Sequence, residues 1–295
     1  MCVERAVLEL DPHRVGRVQE VLALHLAGLP EVEDVLHHQR VGAEASETQT
    51  QNQEQHRAWH GREPTARTST GDDDANRGLF AVTAPALEID DVSKRFGTRW
   101  ALARLTYTLP AGRSLLLTGH NGSGKTTLLR MIATATFPTA GKLRVFGQDT
   151  RVARATLRHD IALVSHASYL YEDLSAAANL TLLAEFLGVE VKPTVPALLE
   201  RVGLSARATS PVRQFSAGMR KRLALARLLL KKPRLALFDE PFGELDPSGI
   251  AWMESVLREL QADGVSIILA THLVDQGLSL TQERLHLVDG RRVDA

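Results

Sequence analysis

The sequence of 295 residues is long enough for one large domain or two small ones, and its 35 Lys and Arg residues balance 35 Asp and Glu residues. This balance gives no global charge that would indicate a nucleic acid or an anionic membrane as a partner, and the single cysteine, Cys2, excludes a disulfide within the chain. No apolar run approaches the roughly 18 residues that cross a bilayer, and Glu4 and Glu9 stand where a secretion signal would be basic and then apolar, so we expect a soluble, cytoplasmic chain.

The first 85 residues differ in composition from the rest of the chain. Residues 43–79 are rich in polar and charged residues and have almost no aliphatic side chains, which predicts disorder. Residues 14–36 carry aliphatic side chains at helical spacing, but Pro30 would interrupt that stripe. We therefore predict that residues 1–85 form a disordered or weakly structured extension. Three interpretations stay open: an over-extended gene start with an alternative start near Val82, a dispensable tail, or a functional helix.

From Leu87 onward the pattern alternates between strands and helices, which indicates an α/β domain. Residues 87–90 and 105–109 alternate apolar and polar side chains, as antiparallel strands with one wet face do. The continuous apolar run at residues 115–117 is typical of a central strand that is buried on both faces. Further strands are predicted at residues 141–146 and 161–165.

A glycine-rich loop follows the apolar run, and we call residues 119–127 the phosphate loop. In a G-x-x-x-x-G-K-[ST] sequence the glycines let successive N–H groups point at phosphates, and the following helix adds its positive N-terminal end. Lys125 supplies a charge for the β- and γ-phosphates, and the Thr126 hydroxyl can ligate Mg²⁺. The alternative is a glycine-rich turn that binds nothing. The predicted nucleotide-binding residues are Gly119, His120, Asn121, Gly122, Ser123, Gly124, Lys125, Thr126 and Thr127.

Three helices are predicted between the phosphate loop and residue 202. The phosphate loop leads into a predicted helix over residues 125–135. Ser175 is a suitable N-cap for a helix over residues 176–187, and a second helix is predicted near residues 195–202.

A second anion site is predicted where the basic amphipathic run of residues 220–230 begins. Ser216, Ala217 and Gly218 form a short turn at a helix start, where Ser216 can donate and Gly218 lets the backbone approach a phosphate. Because the phosphate loop already supplies one such site, a second one is spare unless it faces another nucleotide. The alternative is that Ser216 is only an N-cap.

Two acidic residues end the apolar strand predicted at residues 235–238. Asp239 is the carboxylate expected to hold the Mg²⁺ shell, and Glu240 is the expected base that polarises a water molecule. On their own these acids could simply end a strand, but their position after a phosphate loop favours the chemical interpretation.

The order of these motifs resembles the nucleotide-binding domain of ATP-binding cassette (ABC) transporters over residues 86–295. Residues 119–127 match the Walker A loop, residues 215–219 the signature, residues 235–240 the Walker B strand, residues 243–246 the D-loop with Asp246, and His272 the switch histidine. The resemblance implies an α/β P-loop NTPase cassette with a RecA-like mixed-sheet core, an antiparallel β subdomain and an inserted helical subdomain at about residues 167–215.

The same resemblance implies ATP hydrolysis coupled to transport, with ATP and Mg²⁺ as cofactors. Phe96 would stack on adenine, Lys125, Glu240 and His272 would serve catalysis, and Asp239 would hold Mg²⁺ through water. Two ATP-binding domains would form a homodimer around two ATP molecules, with each signature capping the partner's nucleotide. Permease subunits on separate chains would place the protein on the inner face of the cell membrane, and no nucleic acid partner is implied.

One departure from the family pattern is His166, which stands where a glutamine is usual. With the Ser216-Ala217-Gly218 signature and the residues that follow Glu240, it resembles the ATP-binding subunit of the cytochrome c maturation (Ccm) haem exporter. This resemblance implies haem export. Another ABC exporter ATPase, for drugs, lipids or polysaccharides, remains an alternative. A soluble non-transport ABC ATPase is disfavoured, since the segment between Lys125 and Ser216 is too short for a long coiled coil.

Overall fold

The computed structural model describes residues 84–165 and 169–293. The predictions for residues 1–83 and for His166 lie outside the described residues.

Strands and helices alternate along the described chain, as the sequence pattern predicts. In chain order the strands are β1 (Leu87–Phe96), β2 (Arg99–Leu109), β3 (Ser114–Thr118), β4 (Ala140–Val145), β5 (Gln148–Asp149), β6 (Ile161–Val164), β7 (Leu235–Asp239), β8 (Ser266–Ala270), β9 (Glu283–Val288) and β10 (Arg291–Val293). The helices are α1 (Lys125–Ile132), α2 (Arg154–Asp160), α3 (Ala176–Phe186), α4 (Val191–Arg201), α5 (Ala217–Lys231), α6 (Pro247–Ala262) and α7 (Val274–Leu280), with 3₁₀ turns at Ser205–Arg207 and Val212–Gln214.

The smaller sheet is antiparallel and has the strand order β2-β1-β4-β5. Leu87 pairs with Leu109 on one side and with Val145 on the other, so apolar residues of three strands meet on one face. Buried and exposed side chains alternate along most of β2, which confirms the prediction of strands with one wet face.

The larger sheet has six strands in the order β10-β9-β3-β8-β7-β6, and all its pairings are parallel except that of β9 with β10. Strand β3 lies between β8 and β9, and all its residues are buried, as predicted for a central strand. Leu116 packs in a cluster with Phe238, while Leu115 and Leu117 pack in a second cluster with Leu237. Both faces of this sheet are therefore covered.

The helix ends show where tertiary contacts modify the sequence pattern. Helix α1 ends at Ile132, short of the predicted 135, because Thr134 adopts a left-handed conformation and Ala135 N–H donates to the Arg130 carbonyl at 2.8 Å. The predicted N-cap Ser175 is confirmed, since its hydroxyl accepts from Ala178 N–H at 3.1 Å.

Helix α4 begins at Val191, earlier than the predicted 195. Pro193 lies in its first turn, where the N–H that proline lacks would have no partner within the helix. Helices α3, α4 and α5 pack on one another in a cluster that includes Leu183, Leu199 and Leu223. Among the described helices, none combines the length and apolarity needed to cross a bilayer.

Candidate functional site

The carboxyl ends of β3, β7 and β8 meet at one edge of the larger sheet, because these strands run parallel and adjacent to one another. The phosphate loop follows β3, Asp239 and Glu240 end β7, and His272 follows β8. A cleft of about 450 Å³ opens at this edge, which is within the size range of small-molecule sites. Its lining consists of Phe96, Arg99, Ala101, Asn121, Gly122, Gly124, Lys125, Thr126, Thr127, Asp239 and Glu240.

Two glycines of the phosphate loop stand where there is no room for a side chain. Gly119 has φ +145°, and a Cβ there would lie 2.3 Å from the Leu287 carbonyl oxygen. Gly124, the N-cap of α1, has φ +106°, and a Cβ there would lie 2.6 Å from the Ala101 carbonyl oxygen. The hydroxyl of Ser123 is buried and has no hydrogen-bond partner among the described residues. A backbone cradle with a spare buried hydroxyl fits a ligand rich in acceptor oxygens.

The side chain of Lys125 folds back over the loop. Its Nζ donates to the carbonyl oxygens of Gly119 at 2.7 Å and His120 at 3.0 Å. The ammonium is thereby held over the cradle, where a phosphate would meet it.

Thr126 and Asp239 join the start of α1 to the end of β7. The Thr126 hydroxyl donates to Asp239 Oδ2 at 2.8 Å. Burial raises the pKa of Asp239, although the hydrogen bond from Thr126 and the positive charge of Lys125 oppose that rise. A desolvated carboxylate beside a hydroxyl offers the hard oxygen ligands that Mg²⁺ prefers, and a cation there would compensate the buried charge. The two residues therefore fit a magnesium ion.

Glu240 and His272 form a second pair beside the first. Glu240 Oε2 lies 2.8 Å from His272 Nδ1 and accepts from the His272 backbone N–H at 3.3 Å. Glu240 has φ +53°, a left-handed conformation that is uncommon for a residue with a side chain, and its N–H donates to the Ala270 carbonyl at 2.8 Å. The turn after β7 thus aims this carboxylate toward β8, away from the continuation of its own strand.

The β1–β2 hairpin supplies the other side of the cleft. Phe96 is 54% exposed at its rim, as a ring that receives a base must be. Arg99 and Ala101 also line the cleft, although no motif in the sequence indicated them. Their position directly after the Gly97 turn and Phe96 is the signal that could have indicated them.

The residues matched to the signature and the D-loop do not belong to the lining of this cleft. Ser216 is the N-cap of α5, and its hydroxyl accepts from Met219 N–H at 3.3 Å. Asp246 is the N-cap of α6, where hydrogen bonds from Gly249 N–H and the Ser248 hydroxyl lower its pKa. The capping role of both residues is therefore established, and their roles toward a nucleotide stay predictions.

Comparison with known proteins places this geometry in a family. Residues 102–243 match the family model described as ABC transporter. The Nod factor export ATP-binding protein I of a Rhizobium species is 33% identical over 211 residues, which is 70% of this chain and 69% of that protein. The cytochrome c biogenesis ATP-binding export protein CcmA of Nitrosococcus oceani is 34% identical over 214 residues, which is 72% of this chain and 98% of that protein.

A solved structure described as the ATP-binding subunit of an ABC transporter superposes with a TM-score of 0.66 at 28% sequence identity, covering 70% of this chain and 88% of that one. The mixed parallel and antiparallel sheets described above agree with this architecture. The chain belongs to the ABC transporter family, as one of its ATP-hydrolysing, ATP-binding subunits.

Proposed function

We propose that this chain binds and hydrolyses ATP as the nucleotide-binding subunit of an exporter, working as a homodimer on permease subunits of separate chains. The observation that carries the proposal is the pair of contacts at one sheet edge, Thr126 with Asp239 and Glu240 with His272. Phosphoryl transfer to water needs a carboxylate that binds the metal ion and a base that activates the water, both next to the bound phosphates. Asp239 and Glu240 are the candidates for these two roles.

The phosphates of ATP are held by the backbone N–H groups of the phosphate loop and by Lys125, while Phe96 stacks on the adenine. Thr126 and Asp239 would hold Mg²⁺, Thr126 directly and Asp239 through water. When bound, the ion would supply charge neutralisation for the phosphates.

Glu240 orients the attacking water and accepts its proton. Its side chain is about one third exposed (31%), so a water molecule can reach it. The hydrogen bond with His272 Nδ1 fixes the orientation of the imidazole, whose other ring nitrogen, Nε2, contacts the γ-phosphate.

The position of Ser216 outside the cleft of its own chain supports the proposed dimer. In the proposed head-to-tail arrangement Ser216, Ala217 and Gly218 cap the ATP of the partner subunit, and Asp246 lies in the D-loop beside that interface. The start of α5 is then one half of a composite site.

For the cargo, we propose haem in cytochrome c biogenesis, with another exported substrate as the alternative. The CcmA relative supports haem, since this chain covers nearly all of that protein. The Nod factor relative supports the alternative, because its identity to this chain is almost the same. The names of both relatives describe export, which supports the direction of transport.

The ATPase proposal is tested by separating binding from chemistry. Glu240→Gln should keep ATP bound, lower kcat by at least about 100-fold and trap an ATP-dependent dimer, because it removes the base and keeps the side-chain volume. Lys125→Ala should instead weaken ATP binding by about tenfold or more, because its ammonium meets phosphate in the ground state. Calorimetric titration, a turnover assay and size-exclusion chromatography with ATP distinguish the two. Normal hydrolysis by Glu240→Gln would rule out the assigned base.

The cargo proposal is tested in the native host. Removing the coding sequence should abolish haem-stained c-type cytochromes, and expression of the intact chain, but not of Glu240→Gln, should restore them. Unchanged cytochromes in the deletion strain would exclude haem export and leave the other exporter.

A further inference from the structure

A lysine of helix α5 contacts the turn that carries the proposed base, Glu240. Lys221 lies in the second turn of α5, and only 8% of its surface is exposed. Its Nζ donates to the carbonyl oxygen of Glu240 at 3.0 Å and to that of Gly243. One ammonium therefore binds both ends of the turn over residues 240–243.

This turn has a conformation that needs support. Glu240 is left-handed, a geometry that L-residues adopt rarely and that persists where surrounding contacts enforce it. Its N–H is bound by the Ala270 carbonyl, and its carboxylate by His272. The bond from Lys221 fixes the carbonyl, so the backbone and the side chain of Glu240 are held from three directions.

The helix start and the turn are also packed directly together. A Cβ at Gly218 would lie 3.7 Å from both the Glu244 carbonyl oxygen and the Leu245 side chain. Burial lowers the pKa of Lys221, while the charges of Glu244 and Glu240 oppose that change. The Lys221 ammonium is thus desolvated between α5 and the residues that follow Glu240 in the chain.

We propose that Lys221 is a positioning residue that holds Glu240 in its water-facing orientation and couples the start of α5 to that orientation. The proposal rests on the proposed role of Glu240 as the base. In the head-to-tail dimer, Ser216 of one chain meets the ATP of the partner, and five residues later the same helix fixes the base of its own chain. The two composite sites are therefore connected through one helical turn.

The test replaces the ammonium with an apolar side chain of similar length. Lys221→Met should lower kcat by about tenfold or more while the Kd for ATP changes by less than about twofold, because ATP does not touch this residue in its own cleft. Lys221→Arg, which keeps donors at that reach, should return kcat to within about threefold of the wild type. In the Glu240→Gln background, Lys221→Met should cause no further fall in residual turnover, since both changes act through one group.

The matched control is Lys231→Met. Lys231 is a buried lysine of the same helix, and its Nζ donates to the Ile161 carbonyl at the start of β6, away from the turn. The kcat of the Lys231→Met variant should stay within about twofold of the wild type. If Lys221→Met does not fold, Lys221→Gln, which keeps an amide donor on a shorter arm, must show the same split between kcat and Kd.

Three outcomes would overturn the proposal: wild-type kcat in Lys221→Met, an equal loss in Lys231→Met, or additive losses in the Glu240→Gln background. Normal turnover in Glu240→Gln alone would instead refute the proposed function, so the two failures are distinguishable.

Discussion

At the scale of single residues, the two buried lysines of α5 differ in what surrounds them. Lys221 has the acidic neighbours Glu244 and Glu240, whereas Lys231 lies near Arg227 and Arg158 with Asp160 as the opposing charge. Burial first, and then the two arginines, lower the pKa of Lys231 to about 7. A lysine that is half neutral near physiological pH makes the stability of the fold depend on pH.

The sign of that dependence is fixed by which state binds the proton. Between about pH 7 and the ordinary lysine pKa of about 10.4, unfolded chains carry a protonated Lys231 and folded chains a largely neutral one, so stability rises with pH in this window. The free energy of unfolding of the wild type should increase by roughly 2 kcal/mol more than that of Lys231→Met between about pH 7 and about pH 9. Urea titrations of both proteins measure this difference, and parallel pH profiles would contradict it.

Residues that belong to a motif could be predicted at this scale, and residues defined by tertiary contact could not. Lys125, Thr126, Asp239 and Glu240 line one cleft because the sheet brings the ends of β3 and β7 together. Lys221 belongs to a basic run that resembles a solvated helix face, and only the packed turn shows that it is buried.

At the scale of elements, the β9–β10 hairpin braces the phosphate loop. At its turn, Gly290 N–H donates to the Ser123 carbonyl at 3.1 Å, and the Gly290 carbonyl accepts from Ala103 N–H at 2.8 Å. Gly290 therefore connects the larger sheet, the phosphate loop and β2. A Cβ at this position would lie 2.6 Å from the Ala101 carbonyl oxygen, so the contact depends on glycine.

Gly290→Ala should destabilise the protein more than Gly188→Ala, which is the matched control. Gly290 has φ +76° and Gly188 has φ +67°, but a Cβ at Gly188 would meet no atom within 4 Å. Left-handed strain of about 1 kcal/mol is common to both variants, and the backbone clash should add roughly 2 kcal/mol at Gly290 alone. Chemical denaturation measures the difference, and equal losses would mean that the hairpin shifts to accommodate the methyl group.

Elements with a strong pattern were predicted well, and their ends were not. Alternation in β1 and β2 and the apolar run of β3 predicted both strand type and burial. The end of α1 depends on the left-handed Thr134, which nothing in the local sequence indicates. The start of α4 was predicted too late: the helix begins at Val191, with Pro193 in its first turn and Pro196 inside it, so prolines do not mark its boundary.

At the scale of the whole molecule, the proposed dimer assigns the phosphate loop and Ser216 of one chain to different composite sites. An equal mixture of the Lys125→Ala and Ser216→Arg variants should therefore regain about a quarter of the wild-type turnover, because half of its dimers are mixed and each mixed dimer has one intact site.

The control mixture combines Lys125→Ala with Glu240→Gln. These two changes affect the same composite site when they occur in one chain, so no mixed dimer has an intact site and turnover should stay at the level of the parents. Recovery in the control, or none in the first mixture, would exclude the head-to-tail arrangement.

The position of β3 between β8 and β9 has a consequence for synthesis on the ribosome. The Thr118 hydroxyl forms a hydrogen bond with His286 Nδ1, although the two residues are 168 positions apart in the sequence. Both neighbours of β3, the strands β8 and β9, are translated after α6. The nascent chain therefore exposes this aliphatic strand until nearly the whole domain has emerged, because contacts of such long range form late in folding. ATP can act as a folding ligand only after that point, and a chaperone that covers extended aliphatic segments should be needed before it.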